Sequence, residues 1–150
     1  MVTIVKTENQ ERLFVDKCKE IMGADSKSKG AGWWLDVIDY DNLSKVCKEW
    51  RSMKCDYVLA YSDNAVSAFV IVKNSLSVNM LIADELLCRS NGRGGTQIRE
   101  AMKAEAKRLG ASHFFIDNVF DADTRGYTER ESKTIESGFK RFSTRYVATL

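Results

Sequence analysis

The sequence lacks several residue types on which common catalytic and metal sites depend. It contains no proline, a single histidine (His113) and four cysteines that form no Cys-x-x-Cys pair. Most zinc sites, and most Cys–His or Ser–His catalytic pairs, are therefore excluded unless His113 takes part. The absence of proline also disfavours rigid linkers and proline-rich ligand segments.

The sequence also has little excess charge and no long apolar run. Its 23 basic and 21 acidic side chains give a net charge of +2, so no whole-molecule field draws it onto nucleic acid or a membrane. The first ten residues lack the basic and apolar regions of a signal peptide, and no run reaches about 18 apolar residues. We therefore expect a cytoplasmic protein with no membrane partner, for which nucleic acid is a disfavoured partner.

What the sequence does have is enough apolar content for a core and a clear change of hydrophobic period along the chain. With 150 residues and 44% hydrophobic residues, we expect one domain over 1–150. Period and turn residues predict an α+β, or mixed α/β, domain with the order β-α-α-β-β-β-α-β-α-β. The predicted strands are Thr3–Lys6, Tyr57–Tyr61, Ala65–Val72, Leu76–Cys88, Ser112–Val119 and one within Phe139–Leu150.

The middle three strands are predicted to form an antiparallel meander, and the helices carry recognisable start and stop signals. The third strand of the meander is long, so a bulge or splay inside it is expected. Helix starts are indicated by the capping boxes Thr7–Gln10 and Thr128–Glu131. Helix ends are indicated by Gly23, Gly110 and Gly138, as left-handed residues after the last turn.

A glycine-rich segment follows the long strand and precedes a helix. Gly92, Gly94 and Gly95 permit positive φ and bring successive N–H groups close to a ligand. The following helix N-terminus adds roughly half a positive charge, and Arg89 and Arg93 add two full ones. This pattern fits a pyrophosphate, but it fits equally well a tight strand–helix connection with no ligand. A nucleic-acid-binding Arg–Gly segment is disfavoured, since the motif does not repeat.

This element order, with a strand–glycine turn–helix in the middle and Gly138-Phe139 near the end, resembles the GNAT superfamily of N-acetyltransferases. Its signature Arg/Gln-x-x-Gly-x-Gly/Ala is satisfied by Arg89–Gly94, and a register that ends at Gly95 also fits. The resemblance implies one twisted, mostly antiparallel sheet flanked by helices, and a turn that holds the pyrophosphate of acetyl-coenzyme A (acetyl-CoA). The implied cofactor-binding residues are Leu87, Cys88, Arg89, Gly92, Arg93, Gly94, Gly95 and Thr96.

The activity that the resemblance implies is transfer of acetyl to a primary amine of a small molecule or a protein. The family often has an Asn at the start of the last helix and a Tyr that protonates the leaving thiolate, whereas these places hold Tyr127 and Thr134. The alternative is therefore a GNAT-fold protein that binds a partner or coenzyme A (CoA) without catalysis. The segment after Phe139 is short for the family's closing hairpin, and the sheet edge left open is a place for a second subunit in a homodimer.

An amine acceptor has a pKa near ~10.4 in solution, so attack on a thioester needs a base or a desolvated amine. The candidate bases are Asp84, Glu85 and Asp117. Asp84 and Glu85 point to opposite faces of the predicted strand, so only one can face the cleft, and we favour Glu85 as the catalytic residue. Each of the three also fits a solvated surface carboxylate.

Two adjacent tryptophans are the candidate substrate-binding residues. Trp33 and Trp34 follow the Ser-, Lys- and Gly-rich loop Ala24–Gly32, which borders the acceptor site in the family that the chain resembles. Indole rings can contact an ammonium group by cation–π interaction. The alternative is that one tryptophan is a core residue and the other anchors the loop, since apolar residues follow them.

Overall fold

Strands and helices follow one another along the chain, and the described strands form one sheet. The computed structural model describes residues 1–25, 40–53, 56–73, 80–92, 94–116 and 127–139. The chain falls into two compact units, Met1–Asp117 and Asn118–Leu150. That residues 1–150 form one domain stays a prediction.

The first unit contains the sheet and three of the four described helices. Its elements are β1 (Thr3–Ile4), α1 (Glu8–Asp25), α2 (Tyr40–Ser52), β2 (Tyr57–Tyr61), β3 (Ala65–Lys73), β4 (Leu81–Ser90), α3 (Gly94–Arg108) and β5 (His113–Phe115). The second unit contains α4 (Tyr127–Glu136). The predicted order is confirmed from the first strand to the fourth helix. The predicted last strand lies outside the described residues, apart from Phe139.

The five strands form one sheet in the order β1-β2-β3-β4-β5. The first four strands pair antiparallel, which confirms the predicted meander, and β5 pairs with β4 in parallel. A parallel pair cannot be joined by a tight turn, so α3 supplies the crossover between them. The mostly antiparallel α/β architecture with flanking helices is therefore confirmed.

Alternation along the strands gives the sheet two apolar faces, and each face has its own core. One face packs against α1 and α2 through a cluster that includes Phe14, Cys18, Ile21, Cys47, Leu59 and Val66. The other face packs against α3 through a cluster that includes Phe69, Ala83, Ile98, Met102 and Ala106. The sheet thus holds α3 on the opposite side from the first two helices.

Helix ends follow the local signals at most positions. In the first capping box, the N–H of Gln10 donates to Thr7 Oγ1 at 3.2 Å, and the N–H of Thr7 donates to Gln10 Oε1 at 3.2 Å. Gly110 and Gly138 have φ of 90° and 86° and end α3 and α4 as predicted. The prediction for Gly23 is wrong, because α1 continues through it to Asp25. Packing of the buried residues just before Gly23 outweighs the helical cost of a glycine, about 1 kcal/mol.

Candidate functional site

The long strand β4 contains the predicted irregularity. Ala68 pairs with Leu87 and Phe69 with Glu85, so Leu86 is an extra residue with no partner in the β3 register. This bulge reverses the alternation of faces. Glu85 lies on the α3 face, whereas Leu87 packs against the α1–α2 core. Leu86 itself is 48% exposed.

Strand β4 also extends beyond its pairing with β5. The parallel register runs from Ile82↔His113 to Asp84↔Phe115, while β4 continues to Ser90. Within the described part of the chain, residues after Asp84 have no β5 partner. This half of β4, which continues beyond its pairing with the described β5, leads directly to the glycine-rich turn.

The turn fits closely against its neighbours. Gly92 has φ of 75°, in the left-handed region that favours glycine. The N–H of Asn91 donates to the carbonyl of Asn64 in the β2–β3 turn at 2.8 Å. A Cβ at Gly94 would lie 3.1 Å from the Cβ of Ala65 and 3.3 Å from the carbonyl carbon of Asn64. Backbone conformation therefore requires glycine at 92, and packing against the β2–β3 turn favours it at 94.

The N-terminus of α3 is the positive end of the helix dipole and directly follows the glycine-rich turn. No acidic residue stands in its first turn, and the first four N–H groups of a helix have no partner within the helix. Thr96 is exposed there, so its hydroxyl can also donate. Arg89, at the end of β4, is half-buried, and its Nη1 donates to the carbonyl of Cys88 at 2.8 Å. Three of the predicted cofactor-binding residues thus lie at this end, namely Gly94, Gly95 and Thr96, whereas Arg89 pairs in register with Val66 of the α1–α2 face.

Glu85 lies in a buried ion pair. Arg99 Nε donates to Glu85 Oε1 at 3.1 Å, and Arg99 Nη2 donates to Oε2 at 3.0 Å. The side chain of Glu85 is 4% exposed and that of Arg99 is 28% exposed. Both carboxylate oxygens of the predicted base are therefore engaged beneath α3. Strand alternation puts half-buried Asp84 on the opposite face.

Sequence reasoning missed Arg99. The signal for it was present, since helical spacing puts position 99 beside the inward-facing Ile98 and Met102. An arginine at such a position needs a buried acceptor. Glu85, on the facing strand, is that acceptor.

Cys88 lies between the ion pair and the turn. Burial raises the pKa of its thiol to about 11, and the charge of Glu85 adds to this shift. The thiol is thus neutral near pH 7, whereas a nucleophilic cysteine reacts as the thiolate.

Several predicted site residues fall outside the described part of the chain. These are the candidate substrate-binding residues Trp33 and Trp34, the turn residue Arg93 and the alternative base Asp117. Thr134 lies in α4 and is half-buried. Their roles stay predictions.

Within the described ranges, no three His, Cys, Asp or Glu side chains come together as a metal site. Among the helices of the described residues, none has the length and apolarity that a membrane span requires.

Solved structures resemble the chain over its whole length, whereas no protein-family model and no curated protein matches it. Glucosamine-6-phosphate N-acetyltransferase from Arabidopsis thaliana has a TM-score of 0.64 at 16% identity, covering 99% of this chain and 98% of that one. An aminoglycoside N-acetyltransferase in complex with CoA has a TM-score of 0.60 at 12% identity, covering 100% and 95%. A transcriptional regulator from Bacillus halodurans has a TM-score of 0.59 at 15% identity, covering 100% of both chains.

These likenesses show that the chain has the fold of the GNAT N-acetyltransferases. The predicted resemblance is thereby confirmed at the level of the fold.

Proposed function

We propose that the protein is an acetyl-CoA-dependent N-acetyltransferase, and that it holds its cofactor beside the second half of β4 and at the N-terminus of α3. One observation carries this proposal. Strand β4 continues beyond Asp84, where its pairing with the described β5 ends, and runs through a left-handed Gly92 into a helix start with no acidic residue. An extended ligand with a pyrophosphate at one end matches a strand that leads into a helix N-terminus.

The residues present fit such a ligand. The N–H groups of the first turn and the Thr96 hydroxyl are donors suited to phosphate oxygens. The exposed Leu86 at the bulge offers an apolar contact beside the second half of β4. When bound, acetyl-CoA supplies an activated acyl group as a thioester.

The reaction forms an amide C–N bond to the acceptor and breaks the thioester C–S bond. The acceptor ammonium must lose a proton, and the leaving thiolate gains one. Threonine is a far weaker acid than tyrosine, so Thr134 is a poor substitute for the usual proton donor. The remaining contribution is proximity, worth several kcal/mol when amine and thioester are aligned.

The acceptor is a primary amine of a small molecule or a protein. Trp33 and Trp34 remain its predicted contacts.

A thermal-shift and calorimetric titration with CoA tests the proposed site. A ligand at ~100 times its dissociation constant adds about 2.7 kcal/mol to the free energy of unfolding, a clear rise in Tm. Thr96→Glu is a sharp variant, because an acidic residue in the first turn favours the helix but repels a bound phosphate. We expect it to fold and to bind CoA about tenfold more weakly or worse.

Ala104→Glu is the matched control for Thr96→Glu. It makes the same charge change at an exposed position in the C-terminal half of α3, so its CoA affinity should stay within about twofold of wild type. No Tm shift of the wild-type protein at millimolar CoA would refute the proposed function.

The second candidate function is binding through the GNAT fold without catalysis. Thr134 in the place of the usual tyrosine favours it, and one solved structure with this fold is that of a transcriptional regulator. Incubation with acetyl-CoA and a panel of amines, followed by free-thiol detection, separates the two. Acceptor-dependent thiol release supports the transferase, whereas CoA binding without release supports the alternative.

A further inference from the structure

We propose that Glu85 and Arg99 are positioning residues, whose ion pair fixes the orientation of α3 on β4 and so aims the first-turn N–H groups at the bound phosphates. This inference rests on the proposed function. It assigns to Glu85 a role different from that of the general base expected from the sequence.

The geometry of the pair is that of a cross-link between the two elements of the candidate site. Glu85 lies immediately before the bulge residue Leu86, and Arg99 lies in the second turn of α3. The two residues are 14 positions apart and enclose the whole turn between them. Two parallel N–H···O bonds, at 3.1 and 3.0 Å, define one mutual orientation of guanidinium and carboxylate.

The first turn of α3 has few side chains of its own to hold it in place. It begins with Gly94 and Gly95, and the exposed Thr96 and Gln97 follow. The first apolar anchor is Ile98, which is fully buried. Ile98, Met102 and Ala106 bury one stripe of α3 against the sheet, but apolar contact is non-directional. The bidentate pair adds a directional contact close to the first turn.

The same pair removes a charge conflict. Glu85 is a buried carboxylate on the face that α3 covers, and Arg99 compensates its charge. Without that compensation the carboxylate would oppose an anion bound at the helix start. A proton acceptor for a substrate amine would need an accessible oxygen, whereas this side chain is 4% exposed and both its oxygens accept from Arg99.

The experiment measures the dissociation constants of ADP and of pantetheine for the full-length wild type and two variants. It also measures kcat for acetyl transfer from acetyl-CoA to an amine. ADP carries the pyrophosphate, and pantetheine lacks it. Arg99→Lys keeps the charge but loses the two-pronged geometry, and Glu85→Gln keeps the shape but loses the charge. We expect both to bind ADP about tenfold more weakly, as for one lost charge-assisted contact, and to bind pantetheine within about twofold of wild type.

Arg108→Lys is the matched control. Arg108 makes a similar two-pronged pair with Glu105, at 2.8 and 2.7 Å, but within α3 and at its far end. Its ADP affinity should equal that of the wild type. Hydrogen exchange of the amides of residues 94–97 provides a second readout, and it should quicken in Arg99→Lys and not in Arg108→Lys.

The outcomes separate the possible roles. Unchanged ADP affinity with lower kcat in Glu85→Gln would make Glu85 the base and overturn the proposal. Lower Tm with unchanged ADP affinity in both variants would leave a purely structural pair and also overturn it. If the wild-type protein binds neither ADP nor CoA, the proposed function fails and this inference fails with it. If the wild type binds both and the variants do too, only the inference fails.

Discussion

Single residues at the glycine-rich turn are constrained for different reasons. Gly92 is fixed by its backbone conformation, at a φ of 75°. Gly94 is fixed by its contact with Ala65 and Asn64, at distances that a Cβ could not keep without movement. The glycine pattern that indicated an anion site is therefore partly a packing pattern, and a substitution at Gly94 tests stability before it tests ligand binding.

Gly94→Ala should lower the free energy of unfolding by about 1–3 kcal/mol, because the added methyl meets the backbone and Cβ of a tight turn that has little freedom to move. Urea denaturation measures the change. Gly23→Ala is the control, since open space surrounds that position inside α1. It should raise the free energy of unfolding by about 0.4–1 kcal/mol. Equal effects of the two substitutions would contradict the packing argument.

Cys88 should react slowly with iodoacetamide in the folded protein. A thiol with a pKa of about 11 has about 100-fold less thiolate near neutral pH than one that titrates at 9, and the thiolate is the nucleophile. The rate should rise about tenfold per pH unit up to that pKa. Peptide-resolved mass spectrometry follows the modification of Cys88 apart from the other cysteines. A rate at pH 7.5 equal to that of the urea-unfolded chain would contradict the raised pKa.

At the scale of elements, local signals determine where some elements begin and tertiary contacts determine the bounds of others. Helix α1 begins where a reciprocal capping box predicts. The bounds of strand β4 depend on its neighbours. It pairs with β3 along its length and with the described β5 as far as Asp84. Its Glu85 also forms an ion pair with Arg99 of α3. This strand is the element that links the sheet to the candidate site.

Thr7→Ala should lower the free energy of unfolding by about 1 kcal/mol, because the N–H of Gln10 loses its acceptor at the start of α1. Gln10→Ala removes the reciprocal acceptor for the N–H of Thr7. A double-mutant cycle by chemical denaturation should give a coupling energy of about 0.5 kcal/mol or more, because the two side chains act as one cap. Additive losses would show that they act independently.

At the scale of the whole molecule, charge is balanced and the positive features are local. A net charge of +2 gives weak long-range attraction, and salt limits it to about 8–10 Å. The charge that matters for the proposed ligand is the partial positive charge of the α3 N-terminus, whose first turn has no acidic residue. Recognition should therefore depend on a short anionic group and not on a polyanion.

The protein should bind CoA but not a random-sequence DNA duplex in 150 mM salt. Fluorescence anisotropy with labelled DNA should show no binding up to about 100 μM protein, the weak end of non-specific DNA affinity. CoA binding, measured by calorimetry, should persist in the same buffer. DNA affinity in the low micromolar range would contradict the assignment of the turn to a small phosphate ligand.

The sequence alone determined the features that depend on neighbours along the chain. Hydrophobic period, capping residues and turn glycines predicted the element order and the meander, because each acts over three or four residues. They also predicted a helix end at Gly23, which is wrong because buried neighbours keep α1 helical to Asp25. The resemblance to the GNAT superfamily predicted the fold that the solved structures confirm.

Only the tertiary structure decided which side chains meet across elements. The position of the bulge at Leu86 sets whether Glu85 and Cys88 share a face, and no local pattern fixes that register. The partner of Glu85 is Arg99, 14 residues away on another element, and its identity depends on how α3 packs against β4. An ion pair forms from the relative placement of two elements, which is a property of packing and not of the residues between them. Packing gives Glu85 its partner on α3, and we therefore propose a positioning role for it in place of the role of base.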